Sequence, residues 1–223
     1  MPSATELDPR TLRPNRFVDS DHPAVVEFAR KIAADLPPRE AAVALYLRVR
    51  DGLRYNPWRV GFRPEDFTAS SVLLREPAEG GHCIDKANLL AASARVLGIP
   101  SRLHFANVRN HIGTAELERH LGTDLLVFHG YTELWLEGRW VAATPAFNRE
   151  LCEHLGVDVL EFDGETDSIF QPFDSSGARF MEYVEDHGSH ADIPFETMLA
   201  QWRQHYPHLL ERGTWPTRPV RVG

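Results

Sequence analysis

The sequence predicts an α+β domain in which helices come first along the chain and strands follow. Apolar residues recur at helical spacing up to residue 98, whereas residues 101–143 have the composition of strands joined by a tight turn. Because helix and strand do not alternate, a parallel sheet with crossover helices is not expected. The chain has 223 residues and an apolar share of 43%, so we expect residues 1–223 to form a single domain.

Two helices and a shorter third one are predicted before the first motif. His22-Pro23 opens the first helix, with Asp21 as its candidate N-cap, since proline needs no hydrogen-bond donor in a first turn. Pro37-Pro38 breaks the chain, and the pattern over residues 39–52 predicts the second helix. The shorter helix is expected to start near Thr68.

A fourth helix is predicted to begin at Cys83, just after Gly80-Gly81, with His82 between them. Small residues dominate one of its faces, and Gly98 followed by Pro100 marks its end. Backbone N–H groups at a helix N-terminus are unpaired and carry the positive end of the helix dipole. Such a place stabilises a thiolate and an oxyanion, so the sequence predicts a lowered pKa for Cys83.

The pattern then changes to strands. Residues 101–108 and 125–136 read as strands, with a short helix over residues 114–121 between them. Residues 139–143 return as the partner strand of a hairpin whose turn is Glu137-Gly138. This arrangement is typical of an antiparallel sheet.

Beyond the hairpin the sequence predicts a second, mixed region. Residues 149–155 read as a short amphipathic helix that contains Cys152, which we interpret as a structural thiol among acidic neighbours. Residues 158–185 read as further strands around turns. Residues 193–206 predict a closing helix.

A base for the Cys83 thiol has to be near in space rather than in sequence. The chain has 11 histidines, so the context of each one decides. His129 lies in a predicted strand, where the two-residue period places His129, Tyr131 and Glu133 on one face. Gly130, which follows, leaves room for another group to approach. We therefore predict that His129 is the base.

Two motifs resemble those of the transglutaminase-like superfamily. Residues 81–90 read Gly-His-Cys-Ile-Asp-Lys-Ala-Asn-Leu-Leu, and residues 95–102 read Arg-Val-Leu-Gly-Ile-Pro-Ser-Arg. Residues 129–133 read His-Gly-Tyr-Thr-Glu, and Gly-Arg-Trp follows at residues 138–140. Either half alone is a weak signal, whereas the combination, which spans residues 40–148, is specific.

This resemblance implies a papain-like core of a bacterial-type, single-domain member, with the nucleophile helix packed on an antiparallel sheet. It implies Cys83 as the nucleophile, His129 as its base and a thioester intermediate, with no metal and no organic cofactor. Residues 149–223 would then be a C-terminal extension of the sheet with the closing helix.

The third member of the catalytic group departs from the family pattern. The family usually has an aspartate directly before a proline here, whereas this chain has Thr144 before Pro145. A carboxylate would orient the imidazole and stabilise its charged form, and a threonine brings a hydroxyl without a charge. Asn148 is the alternative, because its amide oxygen can play the same orienting role. We predict Thr144 in preference to Asn148.

Four residues are candidate substrate contacts. Gly81 and His82 immediately precede the nucleophile, and Tyr131 shares the strand face of His129. Trp58 lies in the loop before the catalytic helix, which by resemblance borders the cleft. The substrate that the resemblance implies is a peptide, a protein or a small amide.

Composition and charge argue against several other classes of protein. The net charge is −8 without a block of Lys and Arg, so we expect no nucleic-acid partner. No apolar run reaches the length of a membrane span and no secretory signal is visible, which predicts a cytoplasmic protein without a membrane partner. His187, His190 and Asp192 lack a further ligand nearby in sequence, so no metal site is predicted.

Two functions remain after these arguments. The first is a cysteine-dependent acyl-transfer enzyme, either a hydrolase or a transglutaminase-type transferase, that acts on an amide or peptide bond. The second is a catalytically inactive domain of the same fold that binds a peptide or protein partner. Thr144 in the place of a carboxylate motivates the second function.

Overall fold

The computed structural model describes residues 7–111, 115–170, 177 and 180–211. The helices of the described chain are α1 (Pro23–Ala33), α2 (Pro38–Gly52), α3 (Ala69–Leu73), α4 (Cys83–Val96), α5 (Ala115–Leu121), α6 (Arg149–Leu155), α7 (Phe195–His205) and α8 (Pro207–Glu211). The strands are β1 (Ser101–Asn110), β2 (Leu125–Leu136), β3 (Arg139–Ala143) and β4 (Met181–His190). Short 3-10 turns lie at Pro9–Thr11, Pro64–Phe67 and Pro77–Glu79.

The first two helices form where the prolines predict them. α1 and α2 both begin at a proline, whose fixed backbone angle and missing N–H suit a first turn. The predicted N-cap Asp21 is wrong, because His22 directly precedes the helix and its Nδ1 accepts the N–H of Ala24 at 3.2 Å. The predicted starts of α3 and α5 agree within one residue, although residue 114 lies outside the described part of the chain.

Helix α4 is the centre of the molecule. It packs against α1, α2 and α3 on one side and against β1 and β2 on the other. Ala87, Ala91 and Ala94 are fully buried, and their small side chains let the neighbouring elements approach closely. The helix ends as predicted, and Gly98 adopts a positive φ of 74° just beyond it.

The strands form one antiparallel sheet in the order β3-β2-β1-β4. β2 and β3 are the predicted hairpin, and β1 continues two residues past its predicted end. Helices therefore precede and cover the sheet, which confirms the α+β prediction.

The region between α6 and β4 differs from its prediction. We expected several strands over residues 158–185, whereas the described residues contain only the start of β4 and an isolated bridge from Ala143 to Ser168. Side chains of α2 form hydrogen bonds with this segment instead: Tyr46 Oη and Arg50 Nη1 both donate to the carbonyl of Leu160. A backbone satisfied in this way does not need a strand partner.

The closing helix was predicted to start at residue 193. The observed helix, α7, begins two residues later, at Phe195, and lies beside β2. α6 forms at its predicted bounds and buries Cys152. Within the described residues, we find no helix that combines the length and the apolar character needed to cross a membrane.

Candidate active site

Cys83 is the first residue of α4, and a buried network holds this helix start in place. His82 is the N-cap, and its Nδ1 accepts the N–H of Ile84 at 3.2 Å. Asp85 Oδ2 accepts the backbone N–H of His82 at 3.1 Å and pairs with Arg75 Nη1 at 2.9 Å. Cys83 therefore lies in a first helical turn that the side chains of His82 and Asp85 both cap.

The loop that holds Tyr55 runs beside the entry to α4. Gly81 donates its N–H to the carbonyl of Arg54 and accepts the N–H of Asn56. A Cβ at Gly81 would lie only 3.0 Å from the Cβ of Asp85, so a larger residue would push against the capping side chain. The described role of Gly81 is thus structural, and its contact with substrate stays a prediction.

The Cys83 sulfur lies against β2. It is partly buried, and burial raises the pKa of its thiol to about 11, although backbone hydrogen bonds from Gly130 and Ile84 act in the opposite direction. Apolar side chains of two core clusters surround the residue. The predicted lowering of the thiol pKa is therefore wrong for this structure, because desolvation outweighs the helix N-terminus.

His129 lies on the same stretch of β2. The pairing of β2 with β3 stops at Thr132 and Ala143, so the edge of β2 at His129 is not covered by β3. The ring of Phe170 packs 5.5 Å from the imidazole. Burial lowers the pKa of His129 to about 4, and its Nε2 has no hydrogen-bond partner among the described residues. At neutral pH the ring is uncharged and can accept a proton.

The structure places Cys83 beside the strand that carries His129. The N–H that contacts the Cys83 sulfur belongs to Gly130, the residue directly after His129. A Cβ at Gly130 would lie 3.0 Å from the ring of Phe105 and 3.5 Å from Ile84 Cγ1. The tight distance is the one to Phe105, so the glycine makes room for that ring of β1, whereas the distance to Ile84 of α4 is an ordinary van der Waals contact.

The two candidates for the third position make different contacts. Thr144 is buried, donates its N–H to the carbonyl of Ser168 and accepts Tyr46 Oη on its own carbonyl. Its Oγ1 has no partner among the described residues, so no hydrogen bond joins it to His129. Asn148 Oδ1 accepts the backbone N–H of Tyr55 at 3.1 Å.

We expect Thr144→Val to leave the free energy of unfolding unchanged or to raise it by about 1 kcal/mol, because a buried hydroxyl without a partner is lost. Urea unfolding would measure this, with Thr144→Ser as the control that keeps the hydroxyl. A loss of more than about 1 kcal/mol in the valine variant would show that Oγ1 has a partner in solution.

Glu133 is occupied away from the thiol. Although burial acts to raise its pKa, hydrogen bonds from His104, Arg102 and Ser189 lower it to about 2. Arg102 Nε lies 2.5 Å from its Oε2 and also packs over the ring of Trp140. Glu133 therefore ties β2 to side chains of β1 and β4.

The remaining predicted substrate contacts have other neighbours in this structure. The Tyr131 ring stacks on His104, with centroids 4.7 Å apart. Trp58 is buried and packs against His120. The side chain of His82 faces Asp85 and the ring of Phe67. Their roles in substrate binding stay predictions.

Lys86 is a site residue that the sequence argument missed. It is fully buried, and its Nζ donates at 2.8 Å to the carbonyls of Arg50, Leu53 and Ala146. Burial lowers its pKa to about 7. The side chain ties α4, one turn after Cys83, to the end of α2 and to the loop after β3. The sequence contained one sign of this role: Lys86 lies among apolar residues in a helix that is expected to be buried.

A comparison with known protein families identifies the family of this chain. A family model named Transglut_core, which describes the transglutaminase-like superfamily, matches residues 26–145, more than half of the chain. The chain belongs to the transglutaminase-like superfamily. The resemblance that the motifs suggested is therefore confirmed, and Cys83 and His129 both lie within the matched span.

Among solved structures, this superfamily member is similar to a crystal structure from Cytophaga hutchinsonii that is named "a Putative Cysteine Protease". The two share 17% identity with a TM-score of 0.49, over 85% of this chain and 57% of that one. The chain thus spans little more than half of that protein's length. The comparison with curated proteins gave no match.

Proposed function

We propose that this protein is a cysteine-dependent acyl-transfer enzyme that acts on an amide or peptide bond through a thioester at Cys83. One observation carries the proposal: the thiol at the start of α4 lies against the N–H of Gly130, and the residue before Gly130 is a buried, uncharged histidine. A buried thiol and a neutral imidazole on the adjoining strand are the components of nucleophilic catalysis.

The raised thiol pKa and the lowered imidazole pKa define how the reaction would start. Both groups are neutral at pH 7, so His129 takes the proton of Cys83 while the sulfur attacks the carbonyl carbon. The tetrahedral oxygen then gains from the partial positive charge at the N-terminus of α4. The imidazolium returns its proton to the leaving amine, and a thioester remains.

The second half-reaction distinguishes a hydrolase from a transferase. Water attacks the thioester in the first case and a primary amine in the second, with His129 again removing a proton from the attacking group. Both reactions use the same residues and need neither metal nor organic cofactor. The substrate class we propose is a peptide, a protein or a small amide.

A second candidate is an inactive domain that uses the same cleft to bind a peptide or protein partner. The observation that favours it is the third position, where Thr144 Oγ1 and His129 Nε2 each have no partner among the described residues. No described side chain is therefore shown to hold the imidazole in the orientation that catalysis requires.

Acylation by p-nitrophenyl acetate separates these candidates. We expect release of p-nitrophenolate with an acetyl group on Cys83, found by peptide mass spectrometry. Cys152→Ser is the matched control and should be acylated like the wild type, because Cys152 is buried in α6. Acetylation that is absent, or that survives in Cys83→Ala, would contradict the acyl-transfer proposal.

A chase of the acetyl-enzyme would then identify the acceptor. Dilution into buffer alone measures the hydrolysis of the thioester, and addition of ethylamine measures transfer. Release that does not change with the amine concentration indicates a hydrolase, and release that rises with it indicates a transferase.

A further inference from the structure

A bulge lies in β2 immediately before His129. Ala106 of β1 pairs with His129, but Val108 pairs with Leu126, so β2 contains one residue more than β1 in this interval. Phe128 adopts a positive φ of 62° there. This conformation is sterically unfavourable for a residue with a bulky side chain and needs support from its surroundings.

Side chains from distant parts of the chain bind the backbone of this bulge. Asn107 Oδ1 accepts the N–H of Phe128 at 2.9 Å. Tyr206 Oη accepts the N–H of Val127 at 2.7 Å, and Trp202 Nε1 donates to the carbonyl of Val127 at 3.0 Å. We call Asn107, Trp202 and Tyr206 the bulge clamp. Backbone groups that the ladder leaves unpaired are satisfied by it.

Further contacts fix the orientation of the Asn107 amide. Its Nδ2 donates to Glu185 Oε2 at 2.7 Å, and its Oδ1 lies 3.0 Å from His187 Nε2. The His187 ring also stacks on Phe128, with centroids 4.4 Å apart. Asn107 is almost completely buried, and both its amide nitrogen and its amide oxygen form hydrogen bonds. Such a satisfied polar network in a core specifies one arrangement of the chain.

The bulge determines where His129 points. Successive side chains of a strand face opposite sides, so an extra residue changes the side to which the following residues project. Without the extra residue, either the His129 side chain or the side chains of β2 before the bulge would project to the opposite face of the sheet. Trp202 and Tyr206 also lie beyond residues 26–145, the span that matches the superfamily.

We propose that Asn107, Trp202 and Tyr206 are positioning residues, which hold the bulge at Phe128 so that His129 serves Cys83. This inference rests on the proposed function, because it assigns a role in the reaction to residues that do not touch the reacting atoms. It gives helix α7, which contains Trp202, and the residue after this helix, Tyr206, a part in the chemistry.

Two variants and one matched control test the clamp. Tyr206→Phe removes one hydroxyl, and Asn107→Leu removes the whole amide. Asn88→Leu is the control, because Asn88 is equally buried and its Nδ2 donates to two backbone carbonyls, of Phe17 and Phe67. All three lose buried hydrogen bonds, but only the first two touch the bulge.

We expect acylation of Cys83 by p-nitrophenyl acetate to slow about 10- to 100-fold in both clamp variants, since small misplacements of a catalytic group have effects of this size. The Asn88 variant should retain the wild-type rate constant at a temperature where all variants are folded. Equal slowing in all three variants, or no slowing in Tyr206→Phe, would overturn the proposal.

An NMR titration of the His129 ring gives a readout that does not need activity. Loosening of the bulge should let water reach the ring, so the pKa of His129 should rise towards its ordinary value in the clamp variants but not in the Asn88 variant. If the wild type is not acylated at all, the acyl-transfer proposal fails, and this titration alone decides the clamp. An unchanged titration in both clamp variants would contradict it.

Discussion

Replacement of His129 by alanine should slow the acylation of Cys83 at pH 7 by about 100- to 10,000-fold, the usual contribution of a positioned base. The reason lies in the raised thiol pKa of about 11, which leaves only about one molecule in 10⁴ as thiolate at pH 7. Without an adjacent base, this small fraction carries the reaction. The measurement is the p-nitrophenolate release rate between pH 5 and pH 10.

The shape of the pH profile carries as much information as the rate. In the wild type, the base is already deprotonated above its pKa of about 4, so the rate should be nearly flat from pH 5 to pH 9. In His129→Ala the rate should rise about tenfold for each pH unit, because it follows the thiolate. His154→Ala removes a histidine from α6 and is the control. A flat profile in the His129 variant would exclude its role as a base.

Acidification from pH 6.5 to pH 4 should lower the free energy of unfolding by about 3 kcal/mol through His129 alone. Burial lowers the pKa of this ring to about 4 in the folded protein, whereas the unfolded chain titrates near 6.5. Between these values the unfolded state binds more protons, so stability is fully present above pH 6.5 and is lost as the pH falls to 4.

Urea unfolding at half-unit pH steps would measure this loss in the wild type and in His129→Leu. Burial lowers the pKa of His82 in the same direction, so the difference between the two curves, rather than the wild-type slope, isolates His129. Carboxylates such as Glu133 remain in both proteins and cancel. Parallel curves would mean that His129 is exposed or paired in solution.

Local patterns were sufficient to predict the helix and the hairpin that carry the candidate active site. Gly80-Gly81 before Cys83 and Pro100 after Gly98 mark the two ends of α4, and the hairpin turn at residues 137–138 marks β2 and β3. These signals work because glycine and proline constrain the backbone by themselves. The same reasoning failed for residues 158–170, where side chains of α2 replace a strand partner.

The electrostatics of the site could not be predicted from local patterns. A helix N-terminus favours a thiolate, but the apolar surroundings of Cys83 and His129 come from distant residues such as Phe170. The bulge is a similar case, since phenylalanine gives no sign of a positive φ at residue 128. Its support comes from Asn107, 21 residues away, and Tyr206, 79 residues away.

Two buried basic side chains of α4, Lys86 and Arg95, have acceptors that are synthesised much later than the helix. Lys86 needs the carbonyl of Ala146, 60 residues later, and Arg95 donates to the carbonyl of Ala191, 96 residues later. On the ribosome, Lys86 therefore meets the carbonyls of Arg50 and Leu53 before its third acceptor is made, and Arg95 meets that of Arg13 first. We therefore expect the thiol of Cys83 to reach its final surroundings only late in synthesis, after β2 and the loop that contains Ala146 have been made.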